Sequence, residues 1–161
     1  MKKKIIKIIL WLIVISVAAL IFYFSAQDAT ESNETSGGFL RAILSMFPGF
    51  NSMTRAAQTD MIEALMTAVR KCAHFCIYTA LGFWLLFLVR QYIPKPALPI
   101  SVAAAFLYAV TDELHQYFVP GRSCQFKDIC IDTAGAFTGG LIALLLVLIW
   151  QKLCKFRAKE K

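Results

Sequence analysis

Arg70, His74 and Tyr78 recur at four-residue intervals, so a helix would carry all three on one face. Asp112, Glu113, His115 and Gln116 close a second apolar block, and there Asp112 is within helical reach of both His115 and Gln116. Asp128 and Asp132 open a third block and stack above Gly135. Three chemistries are open to such a set. Arg70, Lys71 and Arg122 can grip a phosphate or carboxylate, since guanidinium forks match those groups bidentately. His74 or His115 can act as general base with Asp112 or Asp128 orienting the ring. A chain of His and Asp at membrane depth can also pass protons, the pattern of a transporter or flippase. No Gly-x-Ser-x-Gly elbow, His-Glu-x-x-His pair or Gly-rich phosphate loop is present, so no catalytic template is complete and binding and catalysis both stay open.

His74, His115, Asp112 and Asp128 offer nitrogen and oxygen donors, yet two histidines on different helices do not make a metal-ligand spacing, so no metal or other cofactor is expected. The five cysteines, Cys72, Cys76, Cys124, Cys130 and Cys154, form no Cys-x-x-Cys pair, and whether Cys124 and Cys130 join is left open. Plainer roles compete with the chemical ones. Lys127 and Arg55 can simply reach headgroups, His74 and Asp112 can form a structural inter-helix pair, and Cys72 and Cys76 can pack as small apolar residues.

The elements that must position these groups are apolar blocks. Of the 161 residues, 58% are apolar, against roughly 45–50% in soluble domains, and the mean hydropathy is +0.62. The excess falls in four stretches near 5–26, 69–92, 97–119 and 128–151, each close to the roughly 20 residues a helix needs to cross a bilayer. The expected fold is all-α, one integral membrane domain over 1–161 built as a four-helix bundle. The first stretch is too long for a signal-peptide core, and Phe24 lies badly for a cut after Ala26, so a retained helix is expected. Residues 27–68 are too polar to span and form an external loop. Within it, 52–66 has Met53, Ala56, Ala57, Met61, Ala64 and Leu65 at helical spacing, an amphipathic helix suited to lying in the headgroup plane. Gly135, Gly139 and Gly140 would let a neighbouring helix come close.

The net charge of +7 does not point to nucleic acid, because the basic residues flank apolar blocks instead of striping one face. It points to orientation. Of the 17 Lys and Arg, eleven fall on one side (Lys2, Lys3, Lys4, Lys7, Arg90, Lys95, Lys152, Lys155, Arg157, Lys159, Lys161), which places both termini inside. Arg41, Arg55, Arg70, Lys71, Arg122 and Lys127 fall outside. With that topology Ser25, Gln27, Arg70, Lys71, His74, Tyr78, Asp112, Glu113, Gln116, Arg122, Asp128 and Asp132 all meet at the extracytoplasmic end, as a ligand-binding set. The lower halves of the first and fourth helices carry almost no polar residue, which disfavours a transport route.

Four segments in order resemble the VanZ-like family of bacterial membrane proteins: Phe24-Ser25-Ala26-Gln27; Arg70-Lys71-x-x-His74-Phe75-x-x-Tyr78 with Leu81-Gly82; Asp112-Glu113-x-x-Gln116-x-Phe118-x-Pro120-Gly121-Arg122; and Asp128-x-x-x-Asp132-x-x-Gly135-x-x-x-Gly139. The resemblance spans nearly the whole chain. It implies a role at the envelope of the bacterial cytoplasmic membrane, linked to reduced susceptibility to the glycopeptide teicoplanin. Two positions depart from the pattern: Ile77 stands where many relatives carry Glu, and Asp132 where many carry Asn. The partners expected are membrane lipids and a lipid-linked cell-wall precursor, with the oligomeric state open. An anionic envelope ligand held by the polar set is the leading expectation, and a membrane-embedded enzyme with a His/Asp centre is the alternative.

Overall fold

The computed structural model describes residues 1–159; Lys161, counted above among the inside cations, lies outside them. Six helices follow in order, α1 (Lys2–Ser25), α2 (Ala29–Leu44), α3 (Pro48–Asn51), α4 (Arg55–Arg90), α5 (Ala97–Gln116) and α6 (Phe126–Lys159), with no strand among the described residues. The helices α1, α4, α5 and α6 are long and apolar enough to cross a membrane. Their outward faces expose Ile8, Leu12 and Ile15 on α1 and Leu145, Ile149 and Trp150 on α6. Apolar surface on that scale is stable against hydrocarbon and not against water. At the end where the lysines gather, Trp11 donates from Nε1 to the Tyr92 hydroxyl (3.1 Å) and the Lys7 ammonium lies 3.9 Å from the Tyr92 ring centroid. Aromatic and cationic groups together are the mark of a membrane interface.

The bundle is organised by α4 and α6, which run parallel and share the most extensive contact of any helix pair. Small residues let the two backbones approach. A Cβ added at Gly135 would sit 2.4 Å from the Phe75 carbonyl oxygen, one at Gly139 would sit 1.8 Å from that of Thr79, and one at Gly82 would sit 2.0 Å from that of Ala136. Each of these neighbours is backbone and cannot swing away. The steps 75 to 79 and 135 to 139 are both four residues, so the ladder fixes axial register as well as distance. Around this pair a core of Leu10, Val14 and Ile21 from α1, Tyr78, Leu81 and Leu88 from α4, Ala105 and Ala109 from α5, and Ile129 and Ala136 from α6 is buried.

Two expectations for residues 27–68 are corrected. This stretch is not a loop with a separate amphipathic helix. Thr54 caps Ala57 N–H (3.3 Å), and from Arg55 the helix continues without interruption through Arg90, so the first four turns stand on the spanning segment as its extension and do not lie across it. The buried face also differs: Ile62, with Leu65, Met66 and Val69, packs on Leu40, Leu44 and Phe50, whereas Met53 and Met61 are exposed. The partner of that face is α2, which the residue pattern did not announce as a helix. Asp28 and Glu31 form a reciprocal capping box at its start, with Glu31 N–H donating to Asp28 (2.9 Å) and Asp28 N–H to Glu31 (3.3 Å). The ends of α5 and α6 also differ from the expected spans: α5 stops at Gln116, and α6 begins at Phe126 and runs through Lys159.

Replacing Gly139 by Ala is therefore expected to destabilise the folded bundle by about 3 kcal/mol, the upper end of the overpacking range. Gly38→Ala, where an added Cβ meets nothing within 4 Å, is expected to be neutral or stabilising by up to ~1 kcal/mol. Unfolding titrations of the two variants in mixed detergent micelles measure the difference.

Candidate functional site

The α4–α6 register sets two basic side chains of α4 against two acidic ones of α6. The Lys71 ammonium meets Asp128 Oδ1 at 2.5 Å, half-exposed on both sides. One turn further in, His74 Nδ1 lies 3.6 Å from Asp132 Oδ1, and here the carboxylate is fully buried. Neither oxygen of Asp132 has a hydrogen-bond partner among the described residues, and neither has His74 Nδ1. The Tyr78 hydroxyl, one turn deeper on the same face, is also buried without a partner, with its ring beside that of Tyr108 (centroids 6.3 Å apart).

Helix α5 closes the site from the other side. The hydroxyl of Ser25, fully buried at the end of α1, donates to Asp112 Oδ2 (2.9 Å), and Gln116 Nε2 donates to both Ser25 Oγ (3.2 Å) and Asp112 Oδ2 (3.4 Å). This trio ties α1 to α5 and satisfies one oxygen of a carboxylate that is only 4% exposed. Glu113 accepts from Gln125 N–H (2.9 Å), pinning the connector that precedes α6. In that connector Val119-Pro120-Gly121-Arg122 is a tight turn with proline second, Gly121 third at φ +72°, and Arg122 N–H donating to the Val119 carbonyl (3.1 Å). The turn rests on α2, where Ala29 N–H donates to the Pro120 carbonyl (3.2 Å). It aims Arg122 inward, and Nε donates to the Gln27 carbonyl (3.3 Å).

Arg70, Lys71, His74, Glu113, Gln116, Arg122, Asp128 and Asp132 line one small, narrow polar pocket, together with Ile131. A second space of about 1250 Å³, part of it open to the surroundings, lies between α1, α2 and α4. Its walls are largely apolar, from Ile21, Phe24, Phe39, Val69 and Ile77, and it shares Arg70, His74 and Arg122 with the polar pocket. Neither Arg70 nor Arg122 has a carboxylate within 4.0 Å among the described residues. Burial, and then the neighbouring Arg70, pull the Arg122 guanidinium below its ordinary pKa, against the opposing pull of Glu113, Asp112 and Asp128.

The sequence-based set is thus gathered with one exception. His115 does not reach Asp112; its ring stacks on Phe22 (centroids 4.7 Å, 28° between planes) and lines neither pocket. Of the two residues within helical reach of Asp112, only Gln116 points with it into the bundle. Gln27 contributes its carbonyl to Arg122 and lines the larger space, and Ser25 and Tyr78 stand behind the pocket walls. The α2 contribution to the larger space, Ser32, Thr35, Ser36 and Phe39, was missed. The Asp28-x-x-Glu31 capping signature and the helical spacing of those four residues were the available signals, masked by Gly37-Gly38. All five cysteines are free and exposed.

Residues 10–148 match the family model described as VanZ/LLP1. No curated protein and no solved structure matches the chain.

Ser25→Ala removes one of the two hydrogen bonds to a buried carboxylate and is expected to cost about 1–3 kcal/mol. Thr138→Ala, which loses only an exposed bond to its own helix at Ala134, is expected to stay within about 0.5 kcal/mol of wild type. Thermal unfolding in one detergent compares the two.

Proposed function

The chain belongs to the VanZ/LLP1 family, and for this member we propose an envelope function in which the polar end binds the anionic headgroup of a membrane amphiphile. A lipid phosphate and a lipid-linked cell-wall precursor share that chemistry. The observation that carries the reading is the position of Arg70 and Arg122. The two guanidiniums line the same pocket with like charges that oppose one another, neither has a carboxylate within 4.0 Å among the described residues, and both sit where the polar pocket joins the larger apolar space. An anion there relieves the repulsion, and an acyl or isoprenyl chain fits the apolar walls. The excess of Lys and Arg at the opposite end supports a polar end facing away from the cytoplasm. Family membership supports a part in glycopeptide resistance, teicoplanin included, in a bacterial cytoplasmic membrane.

A second reading, an enzyme acting on a lipid-linked substrate, draws on one contact. His74 Nδ1 faces Asp132 across 3.6 Å, the arrangement by which a carboxylate orients an imidazole. Turnover of a lipid-linked phosphate by the purified protein, lost in Asp132→Asn, would favour it over binding alone.

The test of the binding reading is native mass spectrometry of detergent-purified protein incubated with phosphatidic acid. Wild type is expected to retain the lipid, and Arg70→Ala and Arg122→Ala each to weaken retention roughly tenfold, the effect of one lost charge-assisted contact. Equal retention by wild type and both variants, or none by wild type, overturns the reading.

A further inference from the structure

Asp132 is a costly residue to bury. Its carboxylate is wholly inaccessible, both oxygens lack a hydrogen bond among the described residues, and the nearest basic group is His74 at 3.6 Å. A buried anion held this way is expected to be strongly destabilising unless something compensates it. The neighbouring groups add to the problem. Asp112 brings a second buried carboxylate, and the donor atoms of His74, Asp112 and Asp132 lie within 4.8 Å of one another. Ser25 and Gln116 both donate to Asp112 Oδ2, so Oδ1 is the oxygen left for another partner.

We propose that His74, Asp112 and Asp132 form a binding site for one divalent metal cation with mixed nitrogen and oxygen preference, Zn²⁺ or Mn²⁺. One imidazole and two carboxylates suit such a cation, whereas the imidazole disfavours Ca²⁺ and Mg²⁺, which take oxygen ligands. Ligand atoms around a tetrahedral metal at about 2.0–2.2 Å lie about 3.3–3.6 Å apart; His74 and Asp132, at 3.6 Å, already have that spacing, and Asp112 has to close on them by up to roughly 1 Å. The contacts from Ser25 and Gln116 to Asp112 are the outer support that orients metal-ligating carboxylates. His74 and Asp132 also line the polar pocket, which gives the ion a path in and leaves its remaining positions toward the pocket that Arg70 and Arg122 share. The cation would balance the two acids without either becoming protonated.

The test uses tag-free, full-length protein in detergent, stripped with chelator and titrated separately with ZnCl₂ and MnCl₂. Wild type is expected to take up one equivalent of one of these metals, read by elemental analysis, and to melt about 5 °C higher at a hundredfold excess over its Kd. Asp132→Asn, nearly isosteric, is expected to stay folded by circular dichroism and elution while losing both the bound equivalent and the melting shift. His74→Gln provides the same reading from the other helix should Asp132→Asn fail to fold. Arg122→Ala is expected to keep the metal, so failure of the anionic-lipid reading and failure of the metal site are separate results. Wild type that binds far less than one equivalent of either metal overturns the proposal, as does undiminished uptake by folded Asp132→Asn or His74→Gln.

Discussion

The close approach of α4 and α6 is the constraint from which the rest of the molecule follows. Between helices in a bilayer there is no hydrophobic force to draw them together, because the tails of the lipid are as apolar as leucine. What remains is packing, and packing at backbone distance needs glycine. Gly82, Gly135 and Gly139 each face a main-chain carbonyl or Cα of the opposite helix, so neither sliding nor rotation is free. The register that results sets Lys71 over Asp128 and His74 over Asp132. The charged face of the site is a continuation of the glycine ladder toward the polar end, and its geometry is inherited from residues with no functional group.

The other two spanning helices are fastened to each other by polar contacts that hydrocarbon makes strong and that would be weak in water. Ser25, Asp112 and Gln116 join α1 to α5, Tyr108 donates to the Ala18 carbonyl (2.7 Å) deeper in the same interface, and Glu113 holds the connector into α6. The Pro120-Gly121 turn brings Arg122 against the Gln27 carbonyl, so that a residue from a connector lines the same pocket as Arg70 of α4.

Much of this was legible in the amino-acid sequence, for reasons that differ from residue to residue. The four apolar blocks are long and separated by polar connectors, which is the strongest signal a sequence carries. Gly135 and Gly139 are spaced to fall on one face, so their packing role was readable. The shared polar end followed from topology alone. What was not legible depends on tertiary partners. Nothing local distinguishes His115 from Gln116, since both lie one turn from Asp112; the Phe22 ring takes one and the Ser25 hydroxyl takes the other. The α2 helix is glycine-bearing and polar, and is held by its capping box and by Ile62 and Val69 of α4 instead of by propensity. The unbroken run of α4 was hidden because its amphipathic start and apolar continuation look like two elements when read by hydropathy.

The charges at the polar end are arranged in a way that stability alone does not account for. A bundle that needed only to neutralise its buried ions would set the arginines against the aspartates, as Lys71 is set against Asp128. Instead Arg70 and Arg122 also line the apolar space beside α1 and α2, with no carboxylate within 4.0 Å among the described residues, while Asp112 and Asp132 cluster with His74 inside the bundle. Buried charges left apart cost more than charges paired, and a rigid helix pair holds these apart. The two readings proposed above put an anion with the arginines and a cation with the acids, side by side at one pocket. The residues that keep the sets separate, the glycines of α4 and α6 and the Pro120-Gly121 turn, hold the fold together and, on the proposed reading, shape the ligand site as well.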